Sequence, residues 1–364
     1  MTNKELQSRA IDVMRFPLAV MVVAIHTYFC EALKAPGNVD VPFSGEWAHE
    51  LITFFSIVLT DAAVPTFFVM SGFLCFYKAV PETKHWFSWG EYLQKTRRKT
   101  VSLFVPYIMW NLVALTIEPN YWDKPIDELL IGMWGFDGQG PWNGPLWFLR
   151  DLYVMMVLAP VFEYIVRKTR FALPVFFLCL IVGNIAGDRI VRGLSYVGIA
   201  YFSLGAYFGI FHKEVIAFLR QKKSAILTLY FLLMLGRIAT MHMGGSIEVL
   251  TTNIGTIEAH QYIWSCIPAW VIMASYIGER TRHMGVWKWL AGSSFTVYVM
   301  HRLINSKISA VGLMILNKPA ISGWEAVTLY CFTITLTVSM CICAFWLLQK
   351  NNITNILFLG KRKR

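Results

Sequence analysis

The sequence predicts an all-α integral membrane protein with about ten transmembrane helices and both termini in the cytoplasm. Three observations predict it. The 364 residues are 56% hydrophobic and only 15% charged, whereas an ordinary soluble domain is about 25% charged. Long apolar runs separated by short basic clusters repeat to the end of the chain. The Lys and Arg between those runs fall mostly on alternate sides. The whole of residues 1–364 therefore reads as a single polytopic domain with no appended soluble domain.

A hydrocarbon core of roughly 30 Å needs about 20 helical residues. That ruler places spans near 10–30, 51–79, 101–118, 144–166, 171–187, 195–212, 224–241, 261–278, 287–316 and 322–349. The first run is too long for a signal-peptide core and lacks a small-residue cleavage site, so it is expected to stay attached. The second and ninth runs are over-long, and Pro65 is the expected break in the second. With the N-terminus inside, 22 of the 33 Lys and Arg lie in the inner segments and 5 in the outer loops. The positive-inside rule fixes the orientation from that asymmetry.

The net charge of +11 raises the possibility of nucleic acid, but the cations form no single patch interleaved with aromatics; they mark topology, and no nucleic-acid partner is expected. Seven cysteines, nearly all within apolar runs, have neither metal-ligand spacing nor a soluble loop framework, so they read as core and no metal is expected. The outer loops are acidic and aromatic. Trp122, Trp134 and Trp142 are either an interfacial belt or a sugar-stacking platform.

A charged side chain at mid-membrane costs about 2.5–3.5 kcal/mol on insertion scales, so each asks for a partner or a task. In the first span, Arg15 and His26 are eleven residues apart. At about 100° per residue they share a face and stand about 16 Å apart along the axis. They are either a satisfied buried pair or an anion-binding Arg below a proton-accepting His. Ser71 and Gly72 suit close packing or a ligand's approach to the backbone. Asp61 sits at the outer surface or faces an internal Arg. Arg97, Arg98 and Lys99 anchor the third span or cradle the phosphates of a nucleotide-bearing donor. Arg150 and Asp151 project about 100° apart, so each is expected to contact another helix rather than its neighbour. In the ninth span Ser294, Tyr298, His301 and Asn305 form one polar stripe, which faces the interior or a wet cavity.

These segments together resemble the bacterial membrane acyltransferase family 3, inner-membrane O-acyltransferases that modify surface glycans and some small acceptors. The likeness rests on Arg15 and His26 with ten residues between them, Phe67 to Phe73, Leu146 to Leu149, and Tyr298 with His301. The chain departs from the family in its compact Arg97-Arg98-Lys99, where Arg-x-x-Arg is usual, and in Leu303, where Pro is common. The resemblance implies a multi-pass inner-membrane enzyme that moves an acyl group, acetyl first among candidates, from cytoplasmic acetyl-CoA or another acyl-CoA to a hydroxyl of a cell-surface glycan or small molecule. It also implies that Arg15 holds the donor, with Arg97, Arg98 and Lys99 on the CoA phosphates. His26 would then act as general base, and Tyr298 or His301 would orient the acceptor or donate to the developing oxyanion. The alternative is a transporter or flippase for a glycan or small anion, with Arg15, Asp61, Arg150, Asp151 and the histidines along its path. The matched, broken repeats of such a transporter are not apparent in the sequence.

Overall fold

The computed structural model describes residues 1–27, 32–35, 39–78, 89–117, 123–136, 140–168, 189–212, 214–243 and 248–361; at 32–35, 39, 189–190, 241–243 and 248–259 it describes the backbone alone. In chain order, α1 (Asn3–His26) is followed by a hairpin of β1 (Ala32–Ala35) and β2 (Val39–Pro42). Then come α2 (Glu46–Thr53), α3 (Ala63–Phe76), α4 (Trp89–Lys99), α5 (Val105–Ile117), α6 (Ile126–Trp134), α7 (Trp147–Val157) and α8 (Ala159–Lys168). A small hairpin, β3 (Arg189–Val191) with β4 (Leu194–Ser195), leads into α9 (Tyr196–Phe211) and α10 (Val215–Gln221). The chain ends with α11 (Lys223–Met243), α12 (Glu248–Arg280), α13 (Met284–Leu316), α14 (Gly323–Leu348) and the short α15 (Asn352–Leu359).

Five helical stretches are long and apolar enough to cross a membrane: Glu46–Phe76, Trp89–Ile117, Lys223–Thr240, Met284–Leu316 and Gly323–Leu348. Two bent pairs, α7 with α8 and α9 with α10, bring the number to seven among the described residues if each is one span. Of the other expected spans, the first falls on α1, which carries Arg9, Asp12 and Arg15, and the eighth on α12. The span at 171–187 lies outside the described residues, as do Trp122, Cys30 and Cys179. The second span starts earlier than expected, at Glu46, and its break precedes Pro65: a π-turn over Phe54–Val58 gives way to turns at 59–62. Proline has no N–H to return to the carbonyl four residues back, so the helix restarts only after the interruption.

The chain divides into two compact units. The first comprises Met1–Ala63 and Lys222–Leu347. Here α1 lies along α12 and α13, and the backbone of Gly278 comes against Arg9 and Ala10, whose Arg9 Nη1 donates to the Gly278 carbonyl at 3.3 Å. Ala24, Phe43, Ala48, Ile52, Ile321 and Leu329 share a core. The stretch after β2 is laced to the chain before α14 by Ser44 N–H to the Ile321 carbonyl at 3.1 Å and by Ile321 N–H to the Pro42 carbonyl at 3.0 Å. Asp61 faces an internal cation: Arg237 Nε meets its Oδ2 at 3.2 Å.

The second unit comprises Val64–Gln221 and Leu348–Arg364. In it α3 and α9 touch backbone to backbone. A Cβ on Gly72 would stand 2.1 Å from the Phe202 carbonyl oxygen, and one on Gly205 would stand 2.1 Å from that of Val69. The small-residue step at Gly72 is thus a close-packing device. The α4–α5 stretch contains a π-turn, Thr100–Phe104, just before Pro106. Gly360, left-handed at φ 63°, closes α15 and rests on the Ser102 backbone of that turn. Trp110 Nε1 donates to the Phe358 carbonyl at 3.0 Å.

Arg150 and Asp151 correct the expectation that they would not pair. Arg150 Nε and Nη2 both reach Asp151 Oδ1, at 3.0 and 2.9 Å, and both side chains are 0% exposed. Arg150 Nη1 donates to the Trp134 carbonyl, and Asp151 Oδ2 accepts the Ser195 N–H at 3.2 Å. The angular rule describes where Cβ atoms point. A four-rotor Arg side chain bends around the helix to the adjacent carboxylate, because two buried charges left apart would cost far more than the bent rotamers.

Two outcomes test this packing. Asp151→Ala strands a buried guanidinium and is expected to destabilise the protein by about 3–5 kcal/mol, seen as a large drop in Tm in detergent, with Arg150→Met/Asp151→Leu milder than Asp151→Ala. Gly205→Val is expected to lower Tm as well, since overpacking costs about 1–3 kcal/mol; an unchanged Tm would contradict the α3–α9 contact.

Candidate functional site

The polar stripe of α13 is buried inside the first unit. Ser293 and Ser294 turn their hydroxyls onto the Leu290 carbonyl at 2.8 and 3.1 Å, the usual retreat for a serine in an apolar helix. Tyr298, His301 and Asn305 follow at helical spacing, all buried, with His301 0% exposed. The stripe runs one turn further than the sequence analysis took it: Ser309 Oγ meets Thr333 Oγ1 of α14 at 3.3 Å. A serine at i+4 from Asn305 was the available signal, weakened because serine is also a common small packing residue. Tyr330 of α14 is a second such link, its hydroxyl 2.7 Å from Ser56 Oγ in the π-turn after α2.

The stripe meets the end of α1. The imidazoles of His26 and His301 stand with ring centroids 5.0 Å apart and tilted by 37°. Asn305 Nδ2 donates to the backbone carbonyl of His26 at 2.8 Å. His301 Nδ1 lies 2.8 Å from the Tyr298 carbonyl and 3.1 Å from that of Val297. Carbonyl oxygens only accept, so Nδ1 carries the proton and the neutral ring presents Nε2 as a lone pair. That Nε2 is buried and has no hydrogen-bond partner among the described residues, as is true of Asn305 Oδ1. Arg302, next in the chain, is exposed.

Arg15 lies three turns before His26 on α1, its side chain 38% exposed and its guanidinium 3.8 Å from Asp12 Oδ1. That separation is long for a charge-assisted hydrogen bond, which leaves most of its five donors for other partners. Arg15, His26, Tyr298 and His301 therefore all belong to the first unit. Arg97, Arg98 and Lys99 belong to the second, in the last turn of α4, with Arg97 and Arg98 exposed and Lys99 half-buried.

Two of the three tryptophans, Trp142 and Trp134, are held by packing and hydrogen bonds. Trp142 donates its indole N–H to the Leu129 carbonyl at 3.0 Å and lies on Gly132. Trp134 donates to the Arg192 carbonyl at 3.4 Å and sits edge-on to Tyr107. Among the described residues, Cys75, Cys266, Cys331, Cys341 and Cys343 are free, and no group of three or more His, Cys, Asp or Glu is placed to hold a metal ion.

The tautomer gives a direct check. A 15N spectrum of histidine-labelled protein at neutral pH is expected to show His301 with Nδ1 protonated and Nε2 bare; a protonated Nε2 on the neutral ring would contradict the Nδ1 hydrogen bonds.

Comparison with known families places residues 8–347 on the model of an acyltransferase domain, that of acyltransferase family 3. No curated protein and no solved structure matches the chain.

Proposed function

Because the chain belongs to acyltransferase family 3, we propose that this membrane protein is an O-acyltransferase that carries an acyl group, acetyl in the first instance, from cytoplasmic acyl-CoA to a hydroxyl of a cell-surface glycan or small molecule. The observation that carries the reading is the contact of two imidazoles, the half-buried His26 against the buried His301, at the end of α1. Imidazole is the side chain best able to take and return a proton in such a site. The chain would lie in the bacterial inner membrane with both termini cytoplasmic.

In this reading His26 takes the proton of the acceptor hydroxyl as its oxygen adds to the thioester carbonyl. It returns that proton to the departing sulfur. A carbon–oxygen bond forms, a carbon–sulfur bond breaks, and the proton ends on the thiol of CoA. His301, with Nδ1 held by carbonyls, offers a lone pair and so orients the acceptor rather than donating to an oxyanion. Tyr298 is left as the hydroxyl donor on the same stripe. The buried acceptor His301 Nε2 suits a ligand that brings an O–H group. Arg15, in the same unit as the two histidines, supplies a half-exposed guanidinium for the donor's polar groups.

The transport alternative has less support. Asp61 is tied to Arg237 and Arg150 to Asp151, so three of the charges a pathway would use are each taken up by a partner.

The test is release of CoA thiol from acetyl-CoA by purified protein in detergent. His26→Ala is expected to lower the rate by about 10²–10⁴-fold, the usual worth of a general base. Arg15→Ala is expected to raise KM for acetyl-CoA. A folded wild type that neither binds nor consumes acetyl-CoA would sink the reading.

A further inference from the structure

We propose that Asn305 is the positioning residue of His26: α13 grips the end of α1 twice, with His301 against the imidazole and Asn305 on the peptide behind it. The proposal rests on the acyl-transfer reading for its consequence, and on geometry alone for the contact.

The last carbonyls of an α-helix have no partner within the helix. At the end of α1, Thr27 N–H turns back to the Ala24 carbonyl at 3.1 Å, and Thr27 Oγ1 donates to the Val23 carbonyl at 2.7 Å. The carbonyl of His26 itself is taken by Asn305 Nδ2 at 2.8 Å, from a helix 279 residues away in sequence. Asn305 is one helical turn beyond His301, so the two side chains leave the same face of α13 and reach the same residue. Asn305 is 1% exposed, which places this hydrogen bond away from water, where it fixes geometry most firmly.

The choice of side chain fits the task. An amide donates without adding charge, so it holds the peptide of His26 and leaves the proton balance of the two rings undisturbed. A lysine or arginine would set a cation beside the base. A serine at the same backbone position would be too short to reach. The hydrogen bond fixes where the helix ends and therefore where the His26 ring starts from, and a general base displaced by about 1 Å can lose about 10²-fold in rate. Asn305 touches no reacting atom in this arrangement; it acts through His26. The titratable and charged groups around it are His26 on α1 and His301 and Arg302 on its own helix.

The experiment compares wild type, Asn305→Leu and Asn305→Asp as full chains in detergent, with two readouts. One is the 15N ring resonance of His26, assigned by its disappearance in His26→Gln. The other is thiol release from acetyl-CoA across a pH series. Asn305→Leu is expected to shift the His26 resonance and to lower kcat by roughly ten-fold or more, with KM for acetyl-CoA changed by less than about two-fold. Asn305→Asp, close in shape and able to donate only while protonated, is expected to match wild type better at low pH and to fall away from it as pH rises. The Asn305→Leu ratio to wild type should instead stay low and flat. A purely packing role would give no such pH-dependent ratio. A His26 resonance unmoved in both variants overturns the proposal, as does a flat Asn305→Asp ratio in an active protein. If wild type releases no thiol, the acyl-transfer reading fails by itself, and the His26 resonance still decides the role of Asn305; if Asn305→Leu does not fold, the near-isosteric Asn305→Asp carries both readouts.

Discussion

Inside a bilayer a polar side chain has no water to fall back on, so each one that the apolar helices carry inward must find its hydrogen bonds in protein or in a ligand. Most of the polar detail in both units answers that demand. Serines on α13, and Thr27 at the end of α1, return their hydroxyls to carbonyls of their own helices. Asp61 is matched by Arg237, and Arg150 by Asp151 together with the Trp134 carbonyl and the Ser195 N–H. A buried pair of this kind adds little net stability over an apolar substitute, but losing one partner is expensive, so the pair fixes the arrangement once it has formed.

The end of α1 meets that demand incompletely. His301 spends Nδ1 on two backbone carbonyls and keeps Nε2 without a partner among the described residues, and Asn305 spends Nδ2 on His26 and keeps Oδ1 likewise. Two half-used polar groups beside a second imidazole are costly to a helix bundle as packing elements. His301 Nε2 is suited to orienting an acceptor that brings an O–H group. The same contrast separates the charge pairs, which are closed on themselves, from Arg15, which has only a 3.8 Å contact with Asp12.

Backbone approach is the second organising device. Gly72 and Gly205 let α3 and α9 meet at carbonyl distance, and Gly278 allows a looser approach of α12 to Arg9 and Ala10 of α1. Helix–helix association in lipid has little hydrophobic drive, so close van der Waals contact at small residues takes its place. Each π-turn lies shortly before a proline, Pro65 or Pro106, where the missing N–H already interrupts the ladder.

The sequence by itself determined the class of protein: long apolar runs fix membrane helices because twenty residues are needed to cross, and the periodic polar stripe on α13 could face only inward. It also determined the family, through Arg15 and His26 and three further motifs in order. It left open whether Asp61 faced outward or met Arg237, and it misjudged Arg150 and Asp151, because residue spacing fixes where Cβ points and not where a long side chain ends. It could show that His26 and His301 were both polar intrusions, but not that they touch, since they lie far apart in the chain and on different helices. Only the tertiary structure decided that pairing, the tautomer of His301 and the hydrogen bond of Asn305 to the His26 carbonyl, because each depends on distances between segments that sequence order does not encode.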